Sequence, residues 1–216
     1  MTQLNDTTPQ GSFRIFCIGR NYMEHIKEQS SETPQVPPIF LKPSTCLVPA
    51  GGKVRFPKHG NELHNEAEVV VRIGKGGRPE TIESALSFVD GLSLGLDLTL
   101  RDVQRFLKQK GLPWETAKSF DYSAPIGEFV ACNDGLNLKE IEFTCRVNGA
   151  IRQQGNTKDM LFPIEDLIIE VSKIWQLVPG DLIYTGTPAG VGSLKIGDTI
   201  EVESPQLGMY AWTIVE

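Results

Sequence analysis

A mainly β fold with a few attached helices is what this sequence predicts, on three observations. The chain of 216 residues carries 21 glycines and 14 prolines, many in turn-like clusters. Apolar residues alternate with period two over several short segments, the pattern of strands with a buried face. Three segments at most show helical spacing, and their placement does not fit an alternating parallel α/β chain. At this length folding buries roughly 70% of the unfolded surface, so a core forms without disulfides. Residues 1–12 read as a flexible tail, and residues 13–216 as one domain.

After the tail, residues 13–18 read as a short strand that ends at Gly19, and residues 22–29 form a short helix. Residues 33–38 hold three prolines and are irregular; residues 39–42 resume a strand. In residues 66–73 the positions Ala67, Val69, Val71 and Ile73 share one face, which puts Glu66 and Glu68 on the other. Residues 92–100 alternate more cleanly still. Leu92, Leu94, Leu96, Leu98 and Leu100 make one face, while Ser93, Gly95, Asp97 and Thr99 make the other. Asp97 therefore sits mid-strand among small neighbours.

Thr99 is the expected N-cap of a helix over residues 100–110 that Gly111 stops. Residues 142–153 read as a hairpin turning at Asn148-Gly149. Residues 162–177 carry Ile164, Leu167, Ile168, Val171 and Ile174 at helical spacing, ended by Pro179-Gly180. A strand over residues 181–185 leads into the loop Thr185-Gly186-Thr187-Pro188-Ala189-Gly190-Val191-Gly192, and residues 198–203 and 209–215 form a closing strand pair.

The net charge of −6 argues against a surface that tracks nucleic-acid phosphates, which needs clustered Lys and Arg. No apolar run approaches the roughly 20 residues of a membrane helix. Residues 1–10 are polar and lack the pattern of a secretory signal. Cys17, Cys46, Cys132 and Cys145 are scattered without paired spacing, so buried thiols in a reducing compartment are expected, and the expected location is cytoplasmic.

Three carboxylates draw the chemistry. If the strands bearing Glu66, Glu68 and Asp97 are neighbours, they gather hard oxygen ligands suited to Mg²⁺, Mn²⁺ or Ca²⁺, whose charge offsets their repulsion. Solvent-facing residues of an edge strand are the plain alternative for the two glutamates. His25 and Glu28, at i and i+3, meet on one helix face, where a carboxylate can orient an imidazole as a general base toward water; an exposed surface pair fits the same spacing. His64 adjoins the carboxylates and is placed to support them, whereas His59 in its polar loop suggests nothing. Lys118, flanked by Trp114 and Phe120, is either a contact for an anionic substrate or an ordinary surface lysine. The loop at 185–192 lacks the ending of a nucleotide loop, but its amides and the Thr187 hydroxyl can hold a carboxylate.

Taken together, the chain resembles the fumarylacetoacetate hydrolase family, in its short single-domain, acylpyruvase-like branch. The resemblance runs in order through Cys17-Ile18-Gly19-Arg20-Asn21-Tyr22 with His25 and Glu28, Phe40-Leu41-Lys42-Pro43, and Leu63-His64-Asn65-Glu66-Ala67-Glu68. It continues through Leu96-Asp97-Leu98-Thr99-Leu100-Arg101-Asp102-Val103-Gln104, Gly111-Leu112-Pro113-Trp114, Ala117-Lys118-Ser119-Phe120-Asp121, Val147-Asn148-Gly149, Gly180-Asp181 and the loop at 185–192. It implies a distorted β-sandwich or barrel roll, homodimeric, with one Mg²⁺ or Mn²⁺ per subunit on Glu66, Glu68 and Asp97. It also implies catalytic roles for His25, Glu28 and Lys118, with Arg20, Arg101, Gln104 and Thr187 binding substrate. Asn65 stands where relatives often carry a histidine.

The activity implied is hydrolysis of a C–C bond in an acylpyruvate, a 2,4-dioxo acid that the fumarylpyruvate type exemplifies, giving pyruvate and a carboxylic acid. The same metal site also suits oxaloacetate decarboxylation and keto–enol isomerisation of a 2-oxo acid, reactions that need no attack by water.

Overall fold

The strand Ala67–Ile73 is apolar at every position but Glu68 and Arg72, and the fold is organised around it. The computed structural model describes residues 13–132 and 136–216; the expected tail at residues 1–12 lies outside them. Ala67–Ile73 pairs antiparallel with Val89–Leu96 on one side and with Leu182–Tyr184 on the other. Leu182–Tyr184 then runs parallel to Ile15–Ile18, which pairs with Ile39–Lys42. Ala124–Ile126 and Leu47–Pro49 extend the far side, and Val130–Ala131 joins Val89–Leu96, making eight strands. A second sheet of five strands places Ala150–Asn156, Glu142–Val147, Thr199–Ser204, Gly208–Val215 and Lys53–Arg55 side by side. The expected β architecture with attached helices is the one observed.

Both faces of the large sheet are covered. Val69, Val71, Phe16, Ile18 and Leu94 point into the main core with Val202, Trp212 and the helix Ile164–Ile174. Val70, Ile15, Cys17 and Tyr184 point the other way, into a smaller core closed by Cys46, Ala124 and Ile126. By the two-residue period of a strand, Glu66 and Glu68 lie on the Val70 side. They face that second core's edge, and solvent reaches neither: Glu66 is 4% and Glu68 1% exposed. The edge-strand alternative is excluded because a second layer of chain covers the face.

Several local expectations need correction. The strand expected over residues 92–100 is Val89–Leu96, and the chain turns out of the ladder at Asp97 before a two-residue strand at Thr99–Leu100. The break occurs because the partner strand begins at Ala67, opposite Leu96; beyond it the Asp97 amide donates to the Glu66 carbonyl across 2.8 Å. The helix at Arg101–Lys110 starts after Leu100, so Thr99 is not its cap; the Thr99 hydroxyl instead donates to the Asp97 carbonyl. Gly111 does end that helix, in the left-handed region at φ 64°. Two further four-residue helices, Ile82–Ala85 and Glu115–Lys118, raise the helix count above three. The hairpin turn holds as read, with Asn148 and Gly149 both at positive φ, but the second strand runs on to Asn156.

Asp181, in the Gly180-Asp181 pair, is wholly buried and is a structural residue. Its carboxylate accepts from the Arg14 amide and guanidinium and from the Val178 amide, tying the first strand to the turn before Leu182. Asp181→Ala leaves these donors unanswered, and the expected loss is about 3–5 kcal/mol of stability, read from urea unfolding. A loss under about 1 kcal/mol would remove Asp181 from this role.

Candidate metal centre and its cleft

The main-chain bond between Asp97 and Glu66 is what assembles the site, because it sets the end of one strand against the start of the other. One carboxylate oxygen from each of Glu66, Glu68 and Asp97 lies within 4.8 Å of the others, and all three residues are buried. Burying three carboxylates together costs several kcal/mol each unless cations answer them. Lys118, from the short helix Glu115–Lys118, supplies one: its Nζ is 2.6 Å from Glu66 Oε2 and 2.5 Å from Asp97 Oδ2. Arg101 pairs with Glu66 through Nη2 and donates from Nη1 to Gln104 Oε1 at 2.6 Å. Glu68 receives an amide instead, from Gly186 N at 2.8 Å.

The electrostatics divide the three acids. Burial pushes Glu66 up, but the adjoining Lys118 ammonium and Arg101 guanidinium outweigh it and its pKa is lowered. Glu68 makes no ion pair among the described residues, and burial and the neighbouring Asp97 charge raise its pKa well above the ordinary value, against the Gly186 amide and the more distant pull of Lys118. Lys118, although buried, is raised by Asp97 and Glu66.

A divalent cation fits these residues. The donors are all hard oxygens, and Asp97 Oδ1 is a buried oxygen with no hydrogen-bond partner among the described residues. Lys42 Nζ lies 2.9 Å from that oxygen but off the hydrogen-bonding direction, so its charge is felt while a lone pair stays unfilled. The Lys118 ammonium between Glu66 and Asp97 stands in for positive charge at the same place. Replacing Asp97 with asparagine removes one charge of the three, and the expected result is weaker Mn²⁺ or Mg²⁺ binding by isothermal titration. Unchanged affinity would strike Asp97 from the ligands.

His25 and Glu28 sit on the helix Met23–Glu28 beside this centre. The His25 ring is buried and its Nδ1 is 2.9 Å from Glu28 Oε2, while Glu28 itself is exposed, so the pair runs from the cleft to the surface and is not the wholly exposed pair of the alternative. The other Glu28 oxygen accepts from Gly190 N at 3.0 Å, which fastens the helix to the 185–192 loop. Only glycine suits position 190: φ is +100°, and a Cβ there would lie 1.9 Å from the Arg152 carbonyl oxygen. The loop's amides do hold carboxylates, as expected, but those they hold in the structure are Glu28 and Glu68.

The sequence-predicted binding residues all line one narrow cleft: Arg20, Arg101, Gln104 and Thr187 with Lys118 and His25. Arg101 and Gln104 are tied to each other and to Glu66. The Thr187 hydroxyl donates to the Ala67 carbonyl at 2.8 Å and accepts from Gln153 Nε2, so its proton is already committed. His64 is not among the residues lining the cleft; its Nδ1 is buried with no hydrogen-bond partner among the described residues, and its pKa is lowered by burial and by Arg101. Asn65 is buried, donating to Gln153 Oε1 and accepting from Gly192 N. His59 bonds the Thr116 carbonyl outside the cleft.

Two residues were missed by sequence reasoning. Lys42 is 1% exposed and braces Asp97 and the Leu98 carbonyl; a lysine closing the apolar run Ile39-Phe40-Leu41 was the available signal. Gln153, buried in the hairpin, bonds Asn65, Ala67, Thr187 and Pro188 at once, and no local pattern marks it.

A family model described as the fumarylacetoacetate (FAA) hydrolase C-terminal matches residues 14–215. The chain is 46% identical over 187 residues to the mitochondrial oxaloacetate tautomerase of Mus musculus, spanning 87% of this chain and 85% of that one. It is 42% identical over 189 residues to the mitochondrial oxaloacetate decarboxylase of Dictyostelium discoideum, spanning 87% of each. The crystal structure of fumarylpyruvate hydrolase from Pseudomonas aeruginosa, in complex with Mn²⁺ and pyruvate, aligns with a TM-score of 0.89 at 33% identity, covering 97% of this chain and 93% of that one.

Proposed function

The chain belongs to the fumarylacetoacetate hydrolase family of enzymes, and from that premise we propose that it is a Mg²⁺- or Mn²⁺-dependent hydrolase of acylpyruvates. The observation that carries the reading is the buried triad of Glu66, Glu68 and Asp97 beside the His25–Glu28 pair. Glu66, Glu68 and Asp97 would hold a divalent cation, which when bound would supply Lewis-acid polarisation to a 2-oxo acid and to its enolate. Glu28, accepting from His25 Nδ1, leaves Nε2 as the basic nitrogen. His25 takes a proton from water there, and the hydroxide adds to the distal carbonyl of the 2,4-dioxo acid. The bond between C3 and C4 breaks, the acyl group leaving as a carboxylic acid and the rest as the enolate of pyruvate. Lys118 adds positive charge where the oxyanion develops.

A second reading is favoured by the relatives named as oxaloacetate tautomerase and oxaloacetate decarboxylase. On it His25 moves a proton at C3 of oxaloacetate, or stays idle while the carboxylate departs. Assaying the purified protein on acetylpyruvate and oxaloacetate side by side, with Mn²⁺ and with chelator, separates the two. Metal-dependent release of acetate with pyruvate supports the hydrolase. Consumption of oxaloacetate alone gives the site to the second reading.

Residues 13–216 serve in this reading as one catalytic domain. A homodimer is proposed on the family resemblance, and sedimentation velocity tests it. No helix among the described residues is long and apolar enough to cross a membrane. Cys17, Cys46 and Cys145 are buried free thiols, which suits a reducing compartment, and we take that to be the cytoplasm.

A further inference from the structure

We infer that Gln153 is a positioning residue: its buried side-chain amide clamps the strand that carries the metal ligands to the loop that holds Glu28, and through that loop it aims His25. The inference rests on the hydrolase reading and adds to it the group that sets the base against the metal centre.

A bulge in the second sheet puts this side chain where it is. Between Glu142–Val147 and Ala150–Asn156 the register shifts: Cys145 faces Gln153, whereas the next residue, Arg146, faces Ile151. Arg152 is the extra residue of the second strand. In an unbroken ladder Arg152 would stand opposite Cys145, whose side chain points into the main core. The bulge gives that inward place to Gln153, which is 1% exposed, while Arg152 and Gln154 on either side of it are exposed. Bulges are over-represented next to active sites, where they re-aim a side chain.

Every hydrogen-bonding position of the Gln153 amide is filled. Oε1 accepts from Asn65 Nδ2 at 2.8 Å and from Ala67 N at 2.9 Å, the two neighbours of Glu66. Nε2 donates to Thr187 Oγ1 at 2.7 Å and to the Pro188 carbonyl at 2.8 Å. A main-chain N–H can only donate and a main-chain carbonyl can only accept, so the amide has one orientation. A buried polar group satisfied in this way fixes geometry, since each alternative placement leaves a donor or acceptor unanswered.

The clamp governs the middle of the loop. The triad has support of its own, because strand pairing with Val89–Leu96 holds Glu68 and the Asp97 amide holds the Glu66 carbonyl. Residues 188–190 lean on the bulged strand. Gln153 bonds the Pro188 carbonyl, and the Pro188 ring rests over Gly155, where a Cβ would lie 3.0 Å from its Cγ. Gly190 lies against the Arg152 carbonyl, and its amide donates to Glu28 Oε1, whose sister oxygen meets His25 Nδ1. The bulged strand therefore reaches His25 in three steps: Gln153 to Pro188, Gly190 to Glu28, Glu28 to His25. The helix Met23–Glu28 is six residues long and has no side-chain cap, so contacts of this kind, not helix propensity, hold it in place.

The test is Gln153→Met, which keeps the size of the side chain and removes its amide. In the metal-free protein, hydrogen exchange at Gly190 and over residues 22–29 is expected to quicken about tenfold or more as the loop opens locally, with residues 67–73 unchanged. In the Mn²⁺-loaded protein, kcat for acetylpyruvate should fall about 10–100-fold with KM within about twofold of wild type, because a misplaced base costs turnover more than binding. Asp181→Ala is the control, since it removes stability elsewhere and should leave both readings at wild type. Should Gln153→Met not fold, Gln153→Asn carries the test: an amide one methylene shorter cannot span strand and loop together, and the same shifts are expected at smaller size. Exchange at Gly190 equal to wild type overturns the clamp. Quickened exchange with kcat unchanged overturns the positioning role. Failure of wild type to cleave acetylpyruvate overturns the hydrolase reading, and with it the aim of His25 at water, while exchange still decides the clamp.

Discussion

His25→Ala is expected to slow acylpyruvate hydrolysis by roughly 10²–10⁴-fold, the usual contribution of a positioned general base, with Mn²⁺ affinity unchanged. The expectation follows from geometry. The ring is buried at the cleft with one nitrogen fixed by Glu28, and it ligates nothing in the triad. Glu28→Gln keeps the shape but removes the charge that steadies the imidazolium, so hydrolysis should fall more than oxaloacetate decarboxylation, which needs no activated water. The two reactions falling together would argue against water activation. Hydrolysis surviving His25→Ala at full rate would take the base away from this residue.

The second large effect is expected at Lys118. Its ammonium is the cation between Glu66 and Asp97, so Lys118→Met leaves two buried carboxylates without it, at a cost of about 3–5 kcal/mol to the metal-free protein. Mn²⁺ replaces that charge, so the variant should gain more in Tm on adding the metal than wild type does. Turnover should still fall by about 10²–10³-fold, because the donor to the oxyanion is gone. A metal-free variant as stable as wild type would show that Lys118 does not neutralise the site, and activity near wild type would remove it from the chemistry.

Much of this architecture was legible in the sequence, for local reasons. The two-residue period of Ala67, Val69, Val71 and Ile73 placed Glu66 and Glu68 on a common face; helical spacing paired His25 with Glu28; Asn148-Gly149 turned the hairpin. Ordered motifs extended over nearly the whole chain, and so did the family match. What failed was whatever depends on a neighbour distant in sequence. Asp97 reads as mid-strand because leucines alternate through residue 100, yet the ladder stops where its partner strand begins. Thr99 looks like a helix cap until its hydroxyl finds the Asp97 carbonyl.

The sequence by itself therefore determined which residues carry charge and which side of each element they occupy, since both are properties of a residue and its near neighbours. It determined the mainly β class in the same way. Whether a face meets water or a second layer is a tertiary matter, and that decision turned Glu66 and Glu68 from an edge pair into a buried cluster needing cations. Tertiary structure likewise recruited Lys42 from 55 residues away in the chain to brace Asp97, and gathered Arg20, Arg101 and Lys118 around one cleft. Electrostatic work depends on distance through space, and the folded chain alone defines that distance.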